Sequence, residues 1–228
     1  MSEPTYSART RYQDMAEVQS FEAVRYRSWL GRRRLRGEQA AVRRVLATVP
    51  PVERIADIPC GIGRWAPVLR ERAKRIFGLD ISWPMLERAR AEQAAAPEGS
   101  GPLALARAEA ERLPLADGSV DIVFSYALMK HLPPEAKRAV LAEFVRVARR
   151  GMVVSFALFN RLTYLRWRWM VRRERRRTGG ATVHSYPLWP AELEKLAGEL
   201  GLRARGQAGV LGFLSLEKVV YLEKLAAG

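Results

Sequence analysis

Apolar positions recur along the chain in two rhythms, and their alternation predicts the element order. Residues 1 to 48 carry helical spacing with the aromatics Tyr12, Phe21, Tyr26 and Trp29, which predicts an N-terminal helical cap over that span. Pro50 and Pro51 end it. The run Ile55 to Ile58 then reads as a buried strand leading into the loop Pro59-Cys60-Gly61-Ile62-Gly63. A helix over 64 to 72, a strand over 75 to 80 and a helix from Ser82, its N-cap, to about Ala95 follow. The Ala, Pro, Glu and Gly stretch at 94 to 101 reads as a loop.

Short strands are predicted at 103 to 106 and 120 to 125, a helix at 134 to 147 with apolar Val140, Leu141, Phe144 and Val147, and a buried strand at 152 to 156. A helix at 190 to 200 and two strands, 202 to 207 and 215 to 222, complete the pattern. Strands alternating with helices imply a parallel sheet, whereas two closing strands without a helix between them imply an antiparallel edge. The expected fold is α/β: a Rossmann-like, doubly wound, mostly parallel sheet with an antiparallel strand pair at the C-terminus. The expected division is a cap at 1–48 and one main domain at 49–228, with a lid-like insertion at 159–180.

Composition changes this picture in two places. With 228 residues and 48% hydrophobic positions the chain can fill one core. The single cysteine, Cys60, excludes an internal disulfide and fits a reducing cytoplasm, and no Cys or His spacing suggests a metal. The longest largely apolar run, 152 to 159, is too short to span a bilayer, and the first ten residues lack a secretory signal, so a cytoplasmic location is expected. The net charge of +15 points toward anions, but 33 of the 39 basic residues are arginine amid abundant alanine, a bias that a GC-rich coding sequence also produces. Where the charge lies therefore says more than its sum.

The chemistry begins at the glycine loop. In such a sheet a nucleotide-type ligand sits outside the carboxyl ends of the strands, where a glycine turn lets backbone approach it. Gly61 and Gly63 supply that turn. Asp57, ending the first strand, can accept a hydrogen bond from a cationic amine, and Asp80, 17 residues after Gly63, can hold the hydroxyls of a ribose. A dinucleotide oxidoreductase shares this loop, with Ala66 as its third small residue. Asp57 before the loop and the later segment 106 to 134 disfavour it.

The segment IADIPCGIGRWAPVLRERAKRIFGLDISWPMLERAR resembles the first two motifs of class I S-adenosylmethionine-dependent methyltransferases, and ARAEAERLPLADGSVDIVFSYALMKHLPP is similar to the next two. The resemblance covers about residues 52 to 157. It implies S-adenosylmethionine as cofactor, with Asp57, Gly61 and Gly63 around its methionine part and Pro59, Cys60 and Arg64 in the same loop. It implies Asp80 on the ribose, Ile81 and Met85 against the adenine, and Glu109, with Ala110 and Glu111 beside it, at the adenine amino group. Ser125 and Tyr126 would line the reactive side. Pro59 stands where the family commonly has glycine, and Glu109 where it has aspartate.

A methyltransferase of this kind places an acceptor oxygen or nitrogen in line with the methyl group; an acidic acceptor needs little more, and an alcohol or ammonium needs a base. His131 and His184 are the two histidines. His131, after the fourth strand, is the candidate base, against the alternative that it caps or packs beneath the next helix. His184 is expected at the surface.

Between Asn160 and Thr178 lie eight arginines against one acid, Glu174. On a helix Leu162, Leu165 and Trp169 form one stripe, widened by Tyr164, Trp167 and Val171. The segment suits an anionic membrane surface, with the protein peripheral to the inner face, or RNA, or a stripe packed on the domain under a solvated arginine face. The expected acceptor is a small molecule or lipid-like. The alternatives are an RNA methyltransferase, for which no appended RNA-binding module or Asn-Pro-Pro-Tyr type signature speaks, and a non-catalytic cofactor-binding protein.

Overall fold

The computed structural model describes residues 28–96, 103–178, 185–213 and 215–225. Tyr12, Phe21, Tyr26, His184 and the Gly179-Gly180 break lie outside the described residues. The elements in chain order are α1 (Trp29–Leu46), β1 (Val52–Asp57), α2 (Ala66–Arg70), β2 (Ala73–Asp80), α3 (Trp83–Ala94), β3 (Leu103–Arg107), β4 (Val120–Ser125), a 3-10 turn (Met129–His131), α4 (Pro134–Val147), β5 (Ala148–Ala157), α5 (Arg161–Thr178), α6 (Pro190–Glu199), β6 (Leu202–Phe213) and β7 (Glu217–Lys224). The seven strands form one sheet in the order β3-β2-β1-β4-β5-β7-β6. β1 to β5 pair in parallel, β7 runs antiparallel to β5, and β6 antiparallel to β7. This is the predicted architecture, including its antiparallel edge.

Strand alternation sorts the core into two layers, one on each face of the sheet. Ala56, Val123, Met152, Val154, Val220 and Leu222 join Val140, Leu141 and Phe144 of α4 and Leu193 of α6 on one face. Ile55, Ile122, Phe124, Val153, Val219 and Tyr221 join Ala41, Val42 and Val45 of α1 and Val68 and Leu69 of α2 on the other. Every one of these side chains is essentially buried. The described part of the N-terminal helical region is therefore a packed layer of the main core. Its start is fixed by Ser28, whose hydroxyl accepts from the Gly31 N–H at 3.0 Å.

Several element lengths differ from the expectation: β5 is ten residues long rather than five and β2 eight rather than six. α2 has only five residues, because Gly61 to Trp65 are spent in turns before the chain can enter the helix, and β6 extends to Phe213 along β7. No helix among the described residues is long and apolar enough to cross a membrane.

Gly151 allows β5 to stay between β4 and β7. Its φ is +137°, and an added Cβ would lie 2.1 Å from the Leu222 carbonyl oxygen. A side chain there must push the central strand off β7, against which all of the C-terminal packing rests. Gly151→Ala is expected to destabilise the fold by about 3 kcal/mol or more, read as a lower urea midpoint at unchanged m-value.

Candidate functional site

The site forms at the carboxyl ends of β2, β1 and β4, which are adjacent in the sheet. Asp57 is level with Gly78 of β2 and Phe124 of β4. The Ile58 N–H donates to the Phe124 carbonyl at 2.9 Å and the Cys60 N–H to that of Leu79 at 2.9 Å, stitching the loop onto both neighbours. Ile58-Pro59 is a cis peptide. Gly61 and Gly63 then turn with φ of +54° and +78°, values that L side chains rarely adopt. A Cβ on Gly61 would meet nothing within 4 Å, so the turn faces open space.

Asp80 receives the loop. Its Oδ2 accepts the Gly61 N–H at 2.8 Å and its Oδ1 the Ser82 N–H at 2.9 Å. The Ser82 hydroxyl in turn caps α3 by accepting from the Met85 N–H at 3.3 Å. Burial pushes the Asp80 carboxyl above its ordinary value, and the hydrogen bonds from Ser82 and Gly61 pull it back. The Ala108 N–H donates to the Asp80 carbonyl at 3.0 Å, which brings Glu109, Ala110 and Glu111 beside the end of β2. Glu109 is exposed there, Ile81 is half-buried and Met85 is buried.

Asp57, Ser125 and Tyr126 are buried at 0%, 0% and 4% exposure. Among the described residues, neither carboxylate oxygen of Asp57, nor the hydroxyl of Ser125, nor that of Tyr126 has a hydrogen-bond partner. Burial drives the Asp57 carboxyl well above the usual carboxylate range; the Arg64 charge opposes the shift and Asp80 adds to it. The Tyr126 hydroxyl is likewise raised, by burial and then by the fields of Glu217 and Glu38. Buried polar groups without partners are uncommon and need an explanation.

The remaining loop residues take different places. Cys60 is buried, with its sulfur against Gly78 and its thiol pushed up by burial. Arg64 leans on the rings of Trp65 and Tyr126, 4.7 Å and 5.4 Å from their centroids. It also meets the fully buried carboxylate of Glu38 at 3.2 Å. Trp65 packs on Phe124 and Tyr126.

From Glu38 an ion-pair chain runs away from the loop. Arg34 meets Glu38 at 2.9 Å and Glu217 at 3.5 Å, and Lys130 meets Glu217 at 3.3 Å. The Ser155 hydroxyl donates to Glu217 at 3.4 Å and accepts from the Ala127 N–H at 2.7 Å. The chain ends in a cavity of about 340 Å³ whose polar wall includes Arg34, Lys130, Arg166 and Glu217, and whose apolar wall includes Trp167, Met170 and Val210. His131 is in the 3-10 turn beside Lys130 and is not among the residues lining this cavity. Sequence reasoning missed Glu38, Lys130 and Glu217. The spacing of Arg34 and Glu38, four apart on one helix, was a readable signal; Glu217 is 87 residues from Lys130, and nothing local announces it.

α5 corrects the expected stripe. The Thr163 N–H donates to the Asn160 Oδ1 and the Asn160 N–H to the Thr163 Oγ1, both at 2.8 Å, which turns Thr163 inward. Phe159 then meets Tyr164 and Trp167 at 5.2 and 5.3 Å, and Tyr164 meets Trp189 at 5.1 Å. Leu162, Leu165, Trp169 and Met170 are 52–62% exposed among the arginines. The single stripe is thus split: its aromatic half packs on the domain, and Leu162, Leu165 and Trp169 do not.

Residues 55–151 match the methyltransferase domain family model. The malonyl-[acyl-carrier protein] O-methyltransferase of Serratia marcescens is 37% identical over 110 residues, covering 47% of this chain and 38% of that protein. The enzyme of the same name from Methylococcus capsulatus is 33% identical over 124 residues, 53% and 43% of the two chains. The chain thus spans less than half the length of these curated relatives. The structure of magnesium protoporphyrin IX methyltransferase from Synechocystis PCC 6803 superposes with a TM-score of 0.69 at 17% identity, over 92% of this chain and 100% of that one. Sheet order, glycine turn and strand-end acids coincide on the residues of the family match, and residues 55–151 carry a methyltransferase domain.

Proposed function

We propose that the protein transfers a methyl group from S-adenosylmethionine to an oxygen or nitrogen of a small-molecule or lipid-like acceptor. The observation that carries this reading is the Asp57 carboxylate, buried with both oxygens unpartnered beside the open Gly61 turn. An acid so placed is costly unless a ligand completes it, and a cationic amine is the complement of two free carboxylate oxygens. The methionine part of the cofactor carries such an amine. Ser125 and Tyr126, equally unpartnered, face the same strand ends. Asp80 accepts a backbone N–H on each oxygen and would offer its remaining lone pairs to ribose hydroxyls.

The bound cofactor supplies a methyl group made electrophilic by its sulfonium. The protein's part is to hold that group and the acceptor in line and to keep water out, and such positioning can contribute roughly 7–11 kcal/mol. Ile81 and Met85 would give the adenine an apolar wall, and Glu109 would stand at its polar edge. The two malonyl-[acyl-carrier protein] relatives named above are O-methyltransferases, which supports oxygen as the attacking atom.

A second reading concerns location. The outward face of α5 combines exposed Leu162, Leu165 and Trp169 with arginines, as suits the headgroup layer of an anionic bilayer. Vesicles of phosphatidylglycerol should sediment the protein and vesicles of phosphatidylcholine should not. Leu165→Ser with Trp169→Ser should weaken sedimentation about tenfold at constant charge. Retention of full binding by that double variant excludes insertion.

Calorimetric titration with S-adenosylmethionine tests the main reading. Asp80→Ala and Asp57→Asn are each expected to weaken binding at least about tenfold; a folded wild-type sample that binds none at millimolar cofactor overturns it. Asp57 also sets a pH signature. Its folded pKa lies above its unfolded one, so the native state holds the proton longer and ligand-free stability falls as pH rises from the unfolded value of 3.8 toward the raised folded one. Asp57→Asn should lack that decline in urea titrations across pH. Cofactor binding, which favours the carboxylate, should release a proton below the folded pKa, read from the dependence of binding heat on buffer ionisation enthalpy.

A further inference from the structure

α5 turns two faces to two different surroundings. Its outer face carries Leu162, Leu165 and Trp169, 54–62% exposed. Arg161, Arg168 and Arg172 follow that stripe along one side, and Arg166 and Arg173 along the other. None of these arginines is ion-paired to a carboxylate among the described residues. Cations on both flanks of an exposed apolar stripe complement an anionic headgroup layer, into which the stripe sinks while the guanidinium groups reach phosphate.

The inner face is a cavity wall. Arg166, Trp167 and Met170 line the cavity of about 340 Å³ together with apolar Ala157, Val210 and Leu216. Met170 is 52% exposed even so, which places the mouth of the cavity along α5 itself. Arg166, one turn before Met170, is exposed and lines the cavity too, so it stands between the outer stripe and the mouth. Arg34, Lys130 and Glu217 of the same cavity are tied together by ion pairs, and Arg166 is in none of those pairs. A pocket entered past one such cation, with Trp167 and Met170 just inside, fits a single hydrocarbon chain whose anionic head stays at the entrance.

We propose that this cavity is loaded from the bilayer: α5 lies on an anionic membrane, and one hydrocarbon chain of a membrane lipid enters past Met170 while its anionic head stays at Arg166. This rests on the location reading above and names the source of the lipid. Ala157 ends β5, which runs parallel to β4 and β1, so a lipid seated there is on the side of the sheet where the glycine turn lies.

Vesicles of phosphatidylglycerol brominated at the chain terminus test this, because bromine quenches an indole only on contact. In an intact leaflet the chain terminus lies near the mid-plane, roughly 15 Å below the headgroup boundary and out of reach of a helix lying at headgroup depth. A chain inside the cavity reaches Trp167 instead. Terminal bromines should therefore quench emission that is lost in Trp167→Phe, and should leave the emission lost in Trp169→Phe unquenched. Ala157→Phe, which fills the cavity, and Met170→Lys, which puts a charge at its exposed mouth, should each abolish that quenching while sedimentation by phosphatidylglycerol vesicles is unchanged. Sedimentation without quenching of Trp167 overturns the proposal and leaves the location reading standing. Quenching that survives both substitutions overturns it as well. If the vesicles do not sediment the protein, both readings fall, and retention by polyuridylate in that case assigns the α5 surface to RNA.

Discussion

Asp80 accepts two backbone N–H groups that belong to different strand-to-helix connections, and the site depends on that double bond. One comes from Gly61, in the turn after β1, and the other from Ser82, at the start of α3 after β2. A single carboxylate thus fixes the glycine turn relative to the next crossover. Both bonds are charge-assisted and lie in a buried setting, where such bonds are stronger than in water. The left-handed turn at Gly61 is what aims its N–H at Asp80, and the absence of a side chain there leaves the space above it open. Turn, acid and α3 cap form one unit, and Asp57 is level with Gly78 of β2 beside it.

Asp57 and Asp80 show how one residue type takes two roles by environment. Asp80 is satisfied by backbone and is ready to receive neutral hydroxyls. Asp57 is unsatisfied and suited to a cation. The protein bears the cost of the second as stored destabilisation, which a ligand with a matching amine would relieve. The relief is specific, because a neutral group at the same place would not restore the charged carboxylate.

How much of this was legible follows from how local each signal is. The strand, glycine turn, helix and second strand with its closing acid lie within thirty residues, so periodicity and turn chemistry disclose them, and the parallel sheet with its antiparallel edge follows from the alternation of elements. The N-cap at Ser82 and the start of α4 at Pro134 are read from single residues. The cavity beside α5 is different: Arg34, Lys130, Arg166 and Glu217 come from separate parts of the chain. Their meeting is set by β7 returning antiparallel beside β5, which puts Glu217 level with Ala157. The orientation of α5 was hidden for another reason. Its sequence is apolar or aromatic on two sides, and the Asn160 and Thr163 bonds, with the ring cluster at Phe159, decide which side turns inward.

The ion-pair chain links the two halves of the site in a way that neither half would predict. Glu38 is fully buried, and a buried carboxylate is tolerated only with close cationic partners. Those partners are Arg64, which directly follows the glycine turn, and Arg34, which reaches on to Glu217 at the cavity. Each guanidinium presents several donors in a fixed plane, so it can serve two neighbours without moving. The position of the glycine loop and the polarity of the cavity wall are therefore set by one network anchored on α1. This is a physical reason for α1 to be a packed layer of the core: a loosely attached helix could not hold Glu38 out of water, and Arg34 and Arg64 would then drift from both sites at once.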